Sequence, residues 1–330
     1  MYLPLFSAGF AALAMMFYVV LDGFDLGVGT LLLFESAQAS RSHMVDSIAP
    51  TWDGNETWLI MAGITLFAAF PIAYAILMPA FYLPIVIMLL ALGLRGVSFE
   101  FRVQSKLHRR QWDHVFGVGS VVAAFMQGLI LGALFQGVKV EDLRFAGSVL
   151  DVFRPFPIVT GLTLVVGYSV LGSGWLYMKA NTFLQRFAVY ALRTTAPAFL
   201  ALFCVVCIYA AEIQPGVRRA WGSHTIALGC VVGLFVLVAV ALTMLAGKCS
   251  AILPFLLGLM LFLLCISGMA LIFFPNIVPF NLSLWSAAAS TMSQVFVLVG
   301  AAVVSPVVLA YSAFAYWIFR GRTPEKGWAD

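Results

Sequence analysis

Apolar runs long enough to cross a bilayer recur along the whole chain, and they decide what it can fold into. A span needs roughly 20 apolar residues. About nine such runs fit, at about 5–34, 52–71, 76–97, 112–136, 157–179, 190–212, 224–246, 251–274 and 289–319. They are continuous rather than alternating every second residue, which excludes a β-barrel. Only 10% of the 330 residues are charged and 63% are hydrophobic, whereas soluble domains are near a quarter charged. No polar stretch reaches the roughly 40 residues below which isolated domains rarely fold alone. The expectation is an all-α polytopic membrane protein with its chemistry in or beside the bilayer. Its divisions are 1–140 (the first four spans), 141–275 (the next four) and 276–330 (a loop, the ninth span and a tail).

Basic residues set the orientation. With the N-terminus outside, the inside loops carry Arg41, Arg95, Arg102, Lys106, Arg109, Arg110, Lys179, Arg186, Arg193, Lys248, Arg320, Arg322 and Lys326. The outside loops carry Lys139, Arg144, Arg154, Arg218 and Arg219. Cytoplasmic loops are enriched in Lys and Arg, so the pattern predicts N-out, C-in. No basic residue precedes the first apolar run, which therefore reads as a retained anchor and not a cleaved signal. Trp52, Trp58, Trp112, Trp175, Trp221, Trp285 and Trp317 fall near the expected span ends, as an interfacial belt would. The net charge of +4 is spread over short loops, with no basic tail to suggest nucleic acid.

Other motifs have plain readings. Gly23-x-x-x-Gly27 is a small-residue helix-packing pattern. Cys204-x-x-Cys207 has redox spacing but sits mid-span without a second pair, so all five cysteines read as small buried hydrophobes. His43, His108, His114 and His224 lie in or beside loops, and none pairs across a bundle core as bis-histidine haem ligation requires. No zinc, iron–sulfur or phosphate-loop motif is present, and no metal site is expected.

Ionisable groups at bilayer depth are expensive, roughly 2.5–3.5 kcal/mol each on insertion scales, and mark partners or tasks. Asp22 and Asp25 are three apart and share a helix face. They read either as a proton or cation site or as a polar pair at a helix contact. In Trp52-Asp53-Gly54-Asn55-Glu56, Asp53 and Glu56 have the spacing of an N-cap and its N3 partner. Asp53 also stands at the mouth of the bundle, placed to accept protons. Arg95 and Glu100 are near enough in sequence to join one charge network with these acids. All three clusters fall on the cytoplasmic side of the expected topology. A fourth stretch, Phe274 to Trp285, has two prolines and two asparagines and reads as a structured outer loop.

The segments Asp22-Gly-Phe-Asp-Leu-Gly-Val-Gly, Ser47-Ile-Ala-Pro-Thr-Trp-Asp-Gly-Asn, Trp58-Leu-Ile and Arg95 through Arg102 resemble the signatures of subunit II of cytochrome bd-type quinol oxidases. The Phe274–Trp285 stretch resembles that family's last outer loop, and the compact loops are similar to its shorter, cyanide-insensitive branch. The resemblance implies two four-helix bundles plus one peripheral helix, in the bacterial cytoplasmic (inner) membrane. It implies a homologous haem-bearing subunit I, with possible small single-span subunits. Haem b and haem d (or b) would be ligated by subunit I, with ubiquinone or ubiquinol as the quinone. The complex would oxidise quinol, reduce oxygen to water and take protons from the cytoplasm without pumping. Subunit II would support assembly and line the proton path, with Asp53 and Glu100 on it and Asp22 and Asp25 in the adjoining charge network. Trp52 and Arg95 would contact a structural quinone or the partner subunit. Ser286 stands where some relatives have Asp, so an acid's role there is absent.

Two other classes suit the same residues. A secondary transporter also has membrane carboxylates and broken helices, and would act without a partner. A scaffold subunit would tolerate neutralisation of every carboxylate.

Overall fold

The structure is a computed structural model that describes residues 2–105, 107–179 and 182–323. Lys106 and Lys326, counted above for orientation, lie outside the described residues. In chain order the helices are α1 (Leu3–Leu32), α2 (Gln38–Asp46), α3 (Trp52–Ala69), α4 (Pro71–Ala80), α5 (Tyr82–Gln104), α6 (Arg109–Gln136), α7 (Pro155–Lys179), α8 (Thr182–Ile213), α9 (Pro215–Ser223), α10 (Thr225–Leu245), α11 (Leu253–Phe273), α12 (Leu284–Ala287) and α13 (Thr291–Ile318). Two short hairpins interrupt them, β1 (Val140–Glu141) with β2 (Arg144–Phe145), and β3 (Asn276–Val278) with β4 (Leu282–Ser283).

Among the described residues, eight helices are long and apolar enough to cross a membrane: α1, α5, α6, α7, α8, α10, α11 and α13. The second expected run, α3, has 18 residues, but Asp53, Asn55 and Glu56 make its first turns polar. The third expected run begins elsewhere. Residues 71–80 form the separate helix α4, with Pro71 at its start, and α5 starts at Tyr82. Proline at a first helical position loses no hydrogen bond, so Pro71, read above as the last residue of the second run, instead opens a new helix.

The long helices pack side by side. α1 lies against α3, α6 and α7, α5 lies against α6, and α7 also meets α8 and α11. α10 packs on α8 and α11, while α13 leans on α3 and α1 from outside. Glycines permit the closest approach. A Cβ on Gly27 would collide with the Tyr168 carbonyl, and one on Gly172 would collide with Gly27. α1 and α7 therefore touch backbone to backbone, as the small-residue pattern requires. The core between α1, α6 and α7 includes Phe24, Leu26, Val28, Phe116, Tyr168 and Leu171.

Two of the seven tryptophans named above depart from the interfacial belt. Trp58 is 1% exposed and Trp175 is 4% exposed. Trp58 packs on Phe17 at 4.6 Å and Trp175 stacks on Phe24 at 4.2 Å. Their helices turn these positions inward, where large rings fill the core.

The α4, α9, hairpin and α12 segments gather at one end of the helices. There Phe280 covers Gly216, where a Cβ would strike the ring, and Asn281 Nδ2 donates to Val138 O at 3.0 Å. This bears out the structured loop read from Phe274 to Trp285. At the opposite end, Lys179 Nζ donates to Phe319 O at 2.6 Å and Thr323 N donates to Lys179 O at 3.0 Å. These two bonds fasten the end of α13 to the end of α7.

Candidate functional site

α1 is buried continuously from Asp22 to Leu32, so both its carboxylates are sealed from solvent. Arg95, on α5, is also fully buried. Its Nη2 lies 2.8 Å from Asp22 Oδ1 and 3.9 Å from Asp25 Oδ2. Its Nη1 lies 3.4 Å from Glu56 Oε1, on α3. One guanidinium thus faces three carboxylates from two helices. Guanidinium suits such a site because its planar fork presents five donors.

Neutral groups extend the cluster. Asn55 Nδ2 donates to Asp25 Oδ2 at 2.7 Å and to Leu21 O at 3.3 Å. The Tyr316 hydroxyl on α13 donates to Asn55 Oδ1 at 3.0 Å. A turn away from Asp22, Gln127 Nε2 donates to the Tyr18 hydroxyl at 2.6 Å and Gln127 Oε1 accepts from Tyr168 at 2.8 Å. Arg95 also faces the Phe116 ring, 5.8 Å from its centroid. Trp52 stacks on Phe99 at 4.9 Å, and Phe99 meets Phe116 edge-on at 4.9 Å. The half-buried Trp52 therefore belongs to an aromatic wall beside Arg95.

The structure brings together Asp22, Asp25 and Arg95, as the sequence suggested, but not Asp53 or Glu100. Both of those are exposed. Glu100 follows Arg95 by five residues, which turns it to another face of α5. It therefore does not join the network expected of it. The expected N-cap is also corrected: Thr51 is the N-cap of α3, and Asp53 sits inside the first turn. Glu56, read above as the capping partner, instead reaches Arg95.

A second buried ion cluster escaped the sequence reading. Asp113, on α6, is fully buried. Its Oδ1 accepts from Arg102 Nε at 2.6 Å, and its Oδ2 accepts from Gln38 Nε2 at 3.0 Å. Arg41 Nη1 lies 3.7 Å away, and Arg102 Nη2 donates to Ser42 Oγ at 2.9 Å. This knot ties α2 to the ends of α5 and α6. Its only sequence signal is an acid flanked by Arg109, Arg110 and His114, which looks like an ordinary polar helix start.

The chain's four histidines lie near helix ends. His43 lies on the short helix α2, His108 caps α6, His114 lies in its first turns against Arg110 O, and His224 caps α10. The first three fall at one end of the helices and His224 at the other, so His224 is not paired with any of them across the bundle, as bis-histidine ligation of one haem would need. The described residues also hold no group of three or more His, Cys, Asp or Glu placed for a metal ion.

Residues 3–319 match the family model of cytochrome bd terminal oxidase subunit II. The chain belongs to that family. It is 30% identical over 354 aligned residues to cytochrome bd-I ubiquinol oxidase subunit 2 of Escherichia coli K12, covering 94% of this chain and 92% of the relative. It is 28% identical over 326 residues to cytochrome bd ubiquinol oxidase subunit 2 of Bacillus subtilis, covering 94% and 93%. A chain in the structure of bd oxidase from Geobacillus thermodenitrificans shares its fold, with a TM-score of 0.76 at 16% identity, over 96% of this chain and 99% of that one. As a bd oxidase subunit II, the chain is a multi-pass protein of the bacterial inner membrane and one component of a respiratory terminal oxidase.

Proposed function

We propose that this chain is the subunit II of a complex that oxidises quinol and reduces oxygen to water, and that its buried carboxylates pass protons taken from the cytoplasm. Its partner is a homologous subunit I, which holds haem b and haem d (or b). The histidine placement of this chain supports that division. Ubiquinol is the proposed reductant, by similarity to the named relatives. The proposed topology has α3 as a ninth span, N-out and C-in. Its helices form two groups of four, α1, α3, α5 and α6, then α7, α8, α10 and α11, with α13 peripheral.

The observation that carries the proton reading is the imbalance around Arg95. Asp22, Asp25 and Glu56 share one cation in a buried site. Uncompensated buried charge is costly, so exchangeable protons complete the balance. Three acids around one guanidinium offer successive sites for a proton, which suits a relay. Asp53 and Glu100, exposed near the same end, are the proposed surface members of the route. Trp52, stacked on Phe99 beside the cluster, is the proposed contact for a structural quinone or the partner subunit, together with Arg95.

The test is oxygen consumption by the assembled complex carrying Asp25→Asn. The amide retains the size of the carboxyl and removes its proton-carrying capacity. A turnover loss of tenfold or more with an unchanged haem spectrum is expected. Full turnover would leave the cluster with a structural role alone, which is the scaffold reading. That reading draws on the same full burial of Arg95, Asp22 and Asp25, since buried ion pairs also fix helix register.

A further inference from the structure

Resting on the proton-path reading above, we propose that water reaches the buried carboxylates through the crevice between α13, α3 and α7, and that Tyr316 is its gate. Two adjoining crevices share a wall of Pro50, Thr51 and Tyr316. The first opens beside Lys179 and Thr323, where the ends of α7 and α13 are fastened. The second runs along α13 past Ser312 and ends at Asn55. Asn55 in turn bonds Asp25 at 2.7 Å. The two crevices, each with room for about one water, therefore adjoin at Tyr316 on one side of α3, and Asn55 stands between the second of them and the cluster.

The junction has the chemistry of a latch and not of a relay. The Tyr316 hydroxyl donates to the Asn55 amide oxygen at 3.0 Å, and an amide side chain does not titrate to hand a proton on. Protons must pass on water when this bond opens. Several buried atoms along the route lack a hydrogen-bond partner: Ser312 Oγ, Asp22 Oδ2 and Asp25 Oδ1. Buried polar groups of this kind are satisfied by water. α13 lies against the outside of α3 and α1, and its end is held by the bonds at Lys179 and by the Tyr316 ring, which meets Trp175 edge-on at 6.2 Å, so opening the gate is a swing of that side chain. Lys179 is the charged group at the mouth, and Arg95, Asp22, Asp25 and Glu56 are those at the base.

The experiment places a thiol in the second crevice with Ser312→Cys, a near-isosteric change, in the complete complex. A small water-borne methanethiosulfonate is applied, and the parent complex with Ser312 serves as the control for the native cysteines. The expected result is labelling of the introduced thiol and a loss of kcat of tenfold or more on labelling, with KM and haem spectrum unchanged. Adding Tyr316→Phe, which removes the latch bond and keeps the ring, speeds labelling several-fold. Absence of labelling in both backgrounds overturns the proposal, as does full labelling without loss of kcat. The proton-path reading is judged separately by Asp25→Asn. If that variant is slow while the plugged crevice turns over normally, only the entrance is wrong. If Asp25→Asn turns over normally, both fail.

Discussion

Removing the Arg95 cation is the sharpest test of what holds the spans together. Arg95→Gln leaves Asp22 and Asp25, both fully buried, and Glu56, 23% exposed, around an uncharged amide. Breaking a buried ion pair by removing one partner costs about 3–5 kcal/mol. That is roughly a hundred- to a few-thousand-fold in the folded ratio, at about 1.4 kcal/mol per tenfold. Proteins are typically stable by only about 5–15 kcal/mol, so the variant should be marginal. The assay is the yield of tagged chain and co-purifying haem from membranes, followed by the thermal midpoint in detergent. Arg218→Gln is the control. Its pair with Glu212 spans 3.4 Å with side chains 64% and 73% exposed, and such pairs contribute about 0–1 kcal/mol. Adding Asp22→Asn to Arg95→Gln removes one stranded acid and should recover part of the loss, which a double-mutant cycle measures. An Arg95→Gln complex with normal yield and midpoint would refute the reasoning.

Asp113→Ala should cost a similar amount, about 3–5 kcal/mol, because the buried Arg102 and Arg41 then lose the carboxylate they share. A lowered thermal midpoint with unaltered quinol KM is the expected readout. Gly27→Ala should cost at least about 1–3 kcal/mol, the usual range for overpacking, since its methyl group meets the Tyr168 carbonyl and α1 must back away from α7. Gly63→Ala is the comparison, because nothing lies within 4 Å of its Cβ position, and with Ala the better helix former it should not lower the midpoint.

Legibility in the sequence followed cost and context. Asp22, Asp25 and Arg95 stood out because charge in an apolar run demands an explanation, and the structure joins them. Glu56 sat in a polar stretch with capping spacing, so a local role competed with its long-range partner. Asp113 was invisible for a related reason: beside Arg109 and Arg110 it resembles a solvated helix start, and only the fold brings Arg102 and Gln38 around it. Glu100 failed in the opposite sense. Its nearness to Arg95 in sequence said nothing about which face of α5 it occupies. Trp58 and Trp175 show the same limit, since proximity to a span end does not tell an interfacial ring from a core one. The apolar runs fared better. Length and hydropathy predict the long helices because the bilayer imposes both, while the break between α4 and α5 depends on local packing that hydropathy does not record.

Redox-induced infrared difference spectroscopy of the assembled complex tests the central claim most directly. A carboxyl that gains or loses a proton during turnover produces a carboxylic C=O band that shifts in heavy water. Proton passage through the cluster predicts such a band, abolished or displaced by Asp25→Asn and altered by Asp22→Asn and Glu56→Gln. A spectrum whose carboxylic bands are identical in all three variants and the parent would contradict it, and would leave Arg95 and its acids as a fastening between helices.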